Sequence, residues 1–251
     1  MNNAATFRSL HVPGKPLVLY NVWDAGSANA VASAGAPAVA TGSWAVAAAQ
    51  GYEDGEQVPM DAVLRVAERV AATVAVPFSI DIEGAYAEDP ASGRANARRF
   101  IATGAVGVNV EDRIVSGEGL YSVETQVARI AAVRAGATDA GVELFINART
   151  DLFFGVDGGL HEGLTDEAVD RCAAYRDAGA DGFFVPGLTD DRLVERLVKD
   201  TVLPVNVMLL NHRRPIAAFA DLGVARVSFG PAPYLQAQAA LEAGYREVVG
   251  G

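Results

Sequence analysis

The stretch Phe78-Ser-Ile-Asp-Ile-Glu-Gly84 decides how this chain is read. It is a short apolar run between Pro77 and Gly84, the pattern of a buried parallel strand that leaves through a glycine turn. On a strand, positions i and i+2 point the same way, so Asp81 and Glu83 face one side. Two like charges on one side of a buried strand repel unless a cation lies between them.

Working outward, the same unit recurs from Leu17 onward: apolar run, polar or glycine turn, Ala-rich helical stretch. Strands are expected near Leu17–Trp23, Ala38–Thr41, Phe78–Ile82, Gly107–Val110, Glu143–Ala148, Gly182–Val185, Val205–Leu209 and Arg226–Phe229. Helices are expected near Gly26–Ala34, Asp61–Ala75, Ser92–Thr103, Val123–Ala140, Asp166–Ala178, Asp190–Lys199, Pro215–Leu222 and Ala232–Val248. Ser122 and Thr165 offer N-cap hydroxyls. Ser-Ala-Gly-Ala, Ala-Thr-Gly-Ala, Asp-Ala-Gly-Ala-Asp and Asp-Leu-Gly-Val read as glycine helix stops. Alternating βα units within 251 residues predict a single α/β domain, residues 1–251, folded as a (β/α)₈ TIM barrel. An open dinucleotide-binding sheet would want G-x-G-x-x-G after its first strand, and Trp23-Asp-Ala-Gly-Ser-Ala does not fit.

Composition narrows the function. Hydrophobic residues make up 51% of the chain, enough for a large core, and the net charge is −11. With a pI near 4.7, neither nucleic acid nor an anionic membrane is expected as a partner. A single cysteine, Cys172, excludes an intrachain disulfide framework and fits a reducing compartment. The start has no apolar signal core and no run approaches the ~18 apolar residues of a membrane span, so a cytoplasmic protein is expected.

In such barrels the chemistry sits at the C-terminal ends of the strands. Those ends carry Asp24, Ser43 with Trp44, Asp81 with Glu83, Glu111 with Asp112, and Arg149 with Asp151; Asn206 lies within the seventh strand. Carboxylates converging from several strands point to a hard divalent cation. Mg²⁺ takes one or two carboxylates directly and keeps several waters. Arg149, ending the apolar run Phe145-Ile-Asn-Ala-Arg149, can hold a carboxylate through two parallel hydrogen bonds or pair internally with Asp151 or Glu111. The Thr41-Gly-Ser-Trp44 turn offers backbone N–H groups suited to a carboxylate or oxyanion.

Five motifs, in this order along the chain, resemble the isocitrate lyase/phosphoenolpyruvate mutase superfamily. They are Thr41-Gly-Ser-Trp44, Gly51-Tyr-Glu-Asp-Gly55, Asp81-Ile-Glu-Gly-Ala-Tyr86, Val108-Asn-Val-Glu-Asp112 and Asn147-Ala-Arg-Thr-Asp151. The similarity runs from Asn21-Val-Trp-Asp24 to Val227-Ser-Phe-Gly-Pro231. It implies a (β/α)₈ barrel that uses Mg²⁺, with Mn²⁺ as a substitute, on a small α-oxo carboxylate or its enolate. It implies Asp81 as the direct metal ligand, with Glu83, Glu111 and Asp54 holding the metal's waters. Ser43 and the Trp44 backbone would bind the substrate carboxylate, Arg149 would steady the oxo-acid end, and Asn206 is a further substrate-binding candidate. Arg149, Glu111 and Asp54 are the catalytic candidates. A homo-oligomer, dimer or tetramer, is also implied.

The chain departs from the family where extra acids and bases are needed. Isocitrate-type lyases carry a Lys-Lys/Arg-Cys-Gly-His loop; here the segment is Arg113-Ile-Val-Ser-Gly-Glu-Gly-Leu-Tyr121. Cys172 lies in a helical stretch, as a small buried side chain. Pro186 ends the sixth strand, where mutases have histidine and lyases glutamate. The expected activity is therefore C–C cleavage through an enolpyruvate-like intermediate, of lyase or oxaloacetate decarboxylase type. P–C chemistry on phosphonopyruvate or phosphoenolpyruvate, or binding without catalysis, are the alternatives. Ser116 or Tyr121 could reach the substrate from a mobile lid. Arg113, Arg213 and Arg214 are the cations available to a phosphoryl group. His161 and His212 are expected as solvated loop residues.

Overall fold

Eight parallel strands make the wall of a barrel in the computed structural model, which describes residues 3–210 and 214–250. They are β1 (Leu17–Leu19), β2 (Val39–Ala40), β3 (Phe78–Asp81), β4 (Gly107–Glu111), β5 (Phe145–Arg149), β6 (Gly182–Phe184), β7 (Val205–Met208) and β8 (Arg226–Ser228). Their order is β1-β8-β7-β6-β5-β4-β3-β2. Just past β1, a parallel bridge from Val22 to Thr41 brings the two ends of the sheet together, with Val22 N–H donating to Ala40 O at 2.9 Å. The expected (β/α)₈ architecture is the observed one.

Helices fill the crossovers: α1 (Asn3–Ser9), α2 (Ala25–Ser33), α3 (Ser43–Ala49), α4 (Met60–Thr73), α5 (Pro90–Ala102), α6 (Val123–Asp139), α7 (His161–Asp177), α8 (Asp191–Asp200), α9 (Ile216–Asp221) and α10 (Ala232–Val249). Local chemistry sets their ends. Asp24, Asp89, Ser122 and Asp190 cap α2, α5, α6 and α8 by accepting backbone N–H groups. The glycine stops behave as expected, with Gly35 at φ +96° and Gly179 at +102°, where a β-carbon is disfavoured.

Four local readings change. Asn3–Ser9 is a helix, although it buries only Ala4 and Phe7. Phe7 is fully buried against the start of the barrel, packing with Leu17, Leu19, Ala38, Ala40 and Phe145. A β-carbon on Gly107 would sit 2.5 Å from the Phe7 ring, so the close approach requires glycine there. The Thr41–Trp44 turn is instead the entry to α3, with Gly42 as its N-cap. Helix α7 begins at His161, so Thr165 is not a cap; its hydroxyl donates to His161 O inside the helix. His161 is buried against Phe153, not solvated. His212 and Arg213 lie outside the described residues.

Candidate active site at the barrel mouth

A cavity of about 140 Å³ opens at the C-terminal ends of the strands. Asn21, Gly42, Ser43, Trp44, Asp54, Asp81, Asn109 and Arg149 line it. Phe154, Phe184, Met208, Leu210, Ser228 and Pro231 complete the lining, with the Phe154 and Phe184 rings beside Arg149. Five of the eight expected site residues thus meet there or at its edge: Ser43, Trp44, Asp54, Asp81 and Arg149.

Asp81 ends β3 and is held from α3. Ser43 donates to its Oδ2 through both the backbone N–H (3.4 Å) and the hydroxyl (3.2 Å). In this structure the carboxylate received by the Ser43 N–H is the protein's own. Thr41 Oγ1 accepts the Asp81 N–H at 3.1 Å, fixing the strand end. Burial raises the Asp81 pKa, Arg149 opposes that shift and Asp54 adds to it.

Glu83 follows in a backbone conformation with φ +50°, and its Oε2 accepts the N–H of Glu56 at 2.8 Å. Burial first, then the charges of Asp54, Asp81 and Glu111, push its pKa up to about 9. Glu111 and Arg149 are register partners on β4 and β5, and Arg149 Nη1 meets Glu111 Oε2 at 2.9 Å. Arg149 also forms a two-point pair with Asp151, Nε to Oδ1 at 2.6 Å and Nη2 to Oδ2 at 2.9 Å. The internal ion pair and the cavity-facing guanidinium therefore coexist, with the Phe154 ring 5.5 Å from the guanidinium carbon.

Other residues read from the sequence go elsewhere. Asp24 is a helix cap, closed into a capping box with Ser27. Asp112 is fully buried and ties β4 to α7, accepting from Tyr175 (2.8 Å), Arg171 (3.1 Å) and the Asp151 N–H (3.0 Å). Asn206 does not line the cavity: it sits inside β7 at 1% exposure and accepts from Ser228 Oγ. Its place in the strand interior, opposite the first residue of β8, keeps it below the mouth. Arg113 is exposed, and Arg214 pairs with Asp191 at 2.6 Å. Ser116 and Tyr121 line a separate crevice with Glu56, Glu88 and Arg129. There Ser116 donates to Glu88 at 2.6 Å, and Tyr121 lies under the Arg129 guanidinium. Cys172 is buried in α7, and burial raises its thiol pKa.

Sequence reasoning passed over Asn21, Asn109 and Ser228 as site residues. Asn21 staples the mouth, donating to Thr41 O and accepting from the N–H groups of Phe229 and Gly230. All three stood inside motifs already noticed, but amides and a hydroxyl carry no charge to draw the eye.

The donor set of the mouth is all oxygen. Among the described residues no three His, Cys, Asp or Glu side chains gather tightly enough to enclose an ion by themselves. Asp81 as direct ligand, with Asp54, Glu83 and Glu111 around it, fits a hard cation that keeps most of its waters. It does not fit a closed three- or four-ligand zinc site.

Comparison with known proteins points to one family. Residues 7–249 match the phosphoenolpyruvate phosphomutase family model. A crystal structure from Burkholderia cenocepacia J2315, described as a proposed phosphonomutase, superposes with a TM-score of 0.94 at 47% identity, covering 98% of this chain and 100% of that one. The 2-methylisocitrate lyase of Escherichia coli K12 is 26% identical over 78% of this chain and 70% of its own. The oxaloacetate decarboxylase of Pseudomonas fluorescens SBW25 is 25% identical over 92% and 80%. With its barrel and its family match nearly end to end, the chain belongs to the phosphoenolpyruvate phosphomutase family, in the superfamily of enzymes shared with the isocitrate lyases.

Proposed function

We propose that this protein is a Mg²⁺-dependent enzyme that cleaves a C–C bond of a small α-oxo carboxylate through an enolpyruvate-like intermediate, in the manner of an oxaloacetate decarboxylase. What carries the reading is the pairing of Asp81 and Arg149 across one 140 Å³ cavity, a carboxylate for the cation and a cation for the carboxylate. A divalent ion at Asp81 would supply Lewis acidity toward the oxo and carboxylate oxygens as enolate charge develops. Asp151 and Glu111 hold the Arg149 guanidinium in one orientation, so binding an oxo acid costs it little side-chain entropy. Phe154, Phe184 and Met208 give the cavity apolar lining that helps exclude water.

Among C–C reactions, the Arg113–Tyr121 segment favours decarboxylation. Retro-aldol cleavage needs a base on the departing hydroxyl; loss of CO₂ does not. The Arg113–Tyr121 segment has neither cysteine nor histidine, and its Ser116 is engaged with Glu88. Decarboxylation asks least of such a site, and an apolar wall suits a neutral leaving group.

A second reading, P–C chemistry, is favoured by the 47% identical Burkholderia relative. It asks for cations around a phosphoryl group, and Arg214 is already paired. Incubation with Mg²⁺ and oxaloacetate, phosphonopyruvate, isocitrate or 2-methylisocitrate separates the readings through pyruvate, CO₂, phosphate and glyoxylate. Pyruvate and CO₂ from oxaloacetate is the expected result. Pyruvate and phosphate from phosphonopyruvate would replace it with the second reading. Oxo-acid binding with no turnover would leave a non-catalytic barrel.

A homo-oligomer is part of the same proposal. Helix α10 has only Pro233 buried, and Leu241, Tyr245, Val248 and Val249 are 60–83% exposed. Sedimentation velocity should give a dimer or tetramer; a monomer at micromolar concentration would remove this part.

A further inference from the structure

Beneath the mouth, the barrel interior holds a guanidinium that makes no ion pair among the described residues. Arg226, at 1% exposure, donates through Nη2 to Asn109 Oδ1 (3.2 Å) and through Nε to Ser228 Oγ (3.3 Å), while its Nη1 is buried without a partner among the described residues. A charge so placed is expensive to bury, so its presence calls for a physical reason. The hydrogen bonds extend from it in both directions. Asn147 Nδ2 donates to the same Asn109 Oδ1 at 2.9 Å, and Ser228 Oγ donates to Asn206 Oδ1 at 3.2 Å. Two members of this network, Asn109 and Ser228, line the cavity above it.

The chemistry of arginine fixes the direction of the network. A guanidinium only donates, so the atom of Asn109 that meets it must be the carbonyl oxygen. Asn147 must then present its own Nδ2 to that oxygen. With Oδ1 committed twice, the end of the Asn109 amide left for the cavity is its N–H₂ donor pair. The amide cannot flip without turning two donors against donors.

We propose that Asn109 contacts the substrate as a hydrogen-bond donor at the cavity floor, and that Arg226 is the positioning residue that holds its amide in that orientation. The floor then selects a ligand with a carboxylate or oxo oxygen at its inner end over one with only donors there. The inference rests on the oxo-acid reading above and adds a specificity element to it.

The probe is oxalate, a planar dianion with the paired oxygens of an enolpyruvate, titrated into the Mg²⁺-loaded protein by calorimetry. Asn109→Asp, the same shape with an acceptor in place of the donor, should weaken oxalate at least tenfold, about the contribution of one hydrogen bond to a charged acceptor. Arg226→Met should weaken it several-fold, and Arg226→Lys, which can still donate to Asn109 Oδ1, should stay within about threefold of wild type. If Arg226 acts through Asn109, Arg226→Met added to Asn109→Leu should cost no further affinity. Wild-type affinity in Asn109→Asp overturns the proposal, and so does additivity in the double variant. Should Asn109→Asp fail to fold, the contrast between lysine and methionine at 226 decides; equal loss in both would mean a merely structural role. No oxalate binding by the wild type would overturn the oxo-acid reading itself, a result distinct from loss of the floor alone.

Discussion

The two ends of the barrel are built on opposite principles. At the N-terminal end, α1 lies across the strand starts and closes them with apolar side chains, Phe7 against Gly107 and Phe145. His11 is stacked on the Phe145 ring with centroids 3.9 Å apart. At the C-terminal end, Asp81, Glu83, Glu111 and Arg149 are gathered at cost, and the backbone there is strained. The non-glycine residues with positive φ among those described are Glu56, Glu83, Ala85 and Tyr86, all at this end. Arg129 pins the strained turn by donating to the carbonyls of Gly84, Ala87 and Glu88. One end is made for stability and the other stores unfavourable charge and geometry, the division expected of an enzyme barrel.

The division can be broken most directly at Asp81. Asp81→Ala should lower metal-dependent turnover by ~10³-fold or more, since a bound cation supplies several kcal/mol of transition-state stabilisation. Thermal unfolding of the variant should be no worse than wild type, because a carboxylate whose pKa burial raises is removed. Unchanged turnover would sink the metal assignment. The mirror experiment is Phe7→Ala, which should cost ~3–5 kcal/mol in denaturant unfolding. Turnover per folded molecule should not change; a drop there would mean that the lower end reaches the chemistry.

The two ends also differed in how far the sequence revealed them. The strands were readable because each is a short apolar run between turn residues, and the acids stood out because charges rarely end such runs. The lower plug was not readable: Phe7 is a single large apolar residue in a polar stretch, and its partners come from the first, second and fifth strands. At the mouth, residue types announced Asp81 and Arg149 but not their partners. That Ser43 serves Asp81, and that Arg149 is shared between Glu111 and Asp151, depends on register and on α3 turning at Gly42. Asn206 and Asn109 both lie inside strands, yet only Asn109 lines the cavity, a difference set by sheet register that residue type does not reveal.

A smaller effect sharpens the contrast through pH. Burial, with Arg226 nearby, pushes His11 from its ordinary 6.5 down to about 3, so the folded protein keeps it neutral. Between those values the unfolded chain binds a proton that the folded one refuses. Stability from this residue is therefore complete above about pH 6.5 and is lost as pH falls toward 3. The loss approaches ~1.4 kcal/mol per pH unit at most. Unfolding curves of wild type and His11→Gln between pH 7 and 4.5 should converge as pH falls; parallel curves would show that His11 titrates normally.

The finest test compares one substitution at both ends. Ala38 is buried in the lower cluster without positive φ, so Ala38→Gly loses a methyl worth ~0.8 kcal/mol and adds chain entropy worth ~0.5–1 kcal/mol, a loss of ~1–2 kcal/mol in all. Ala85 is as well buried but holds φ +62°, a conformation that costs an L-residue ~1–2 kcal/mol and glycine almost nothing. At Ala85 the relief offsets the same two losses, and Ala85→Gly should fall within ~0.5 kcal/mol of wild type. Equal destabilisation at both positions would mean that the turn after Asp81 stores no strain, and the upper end would then differ from the lower in charge alone.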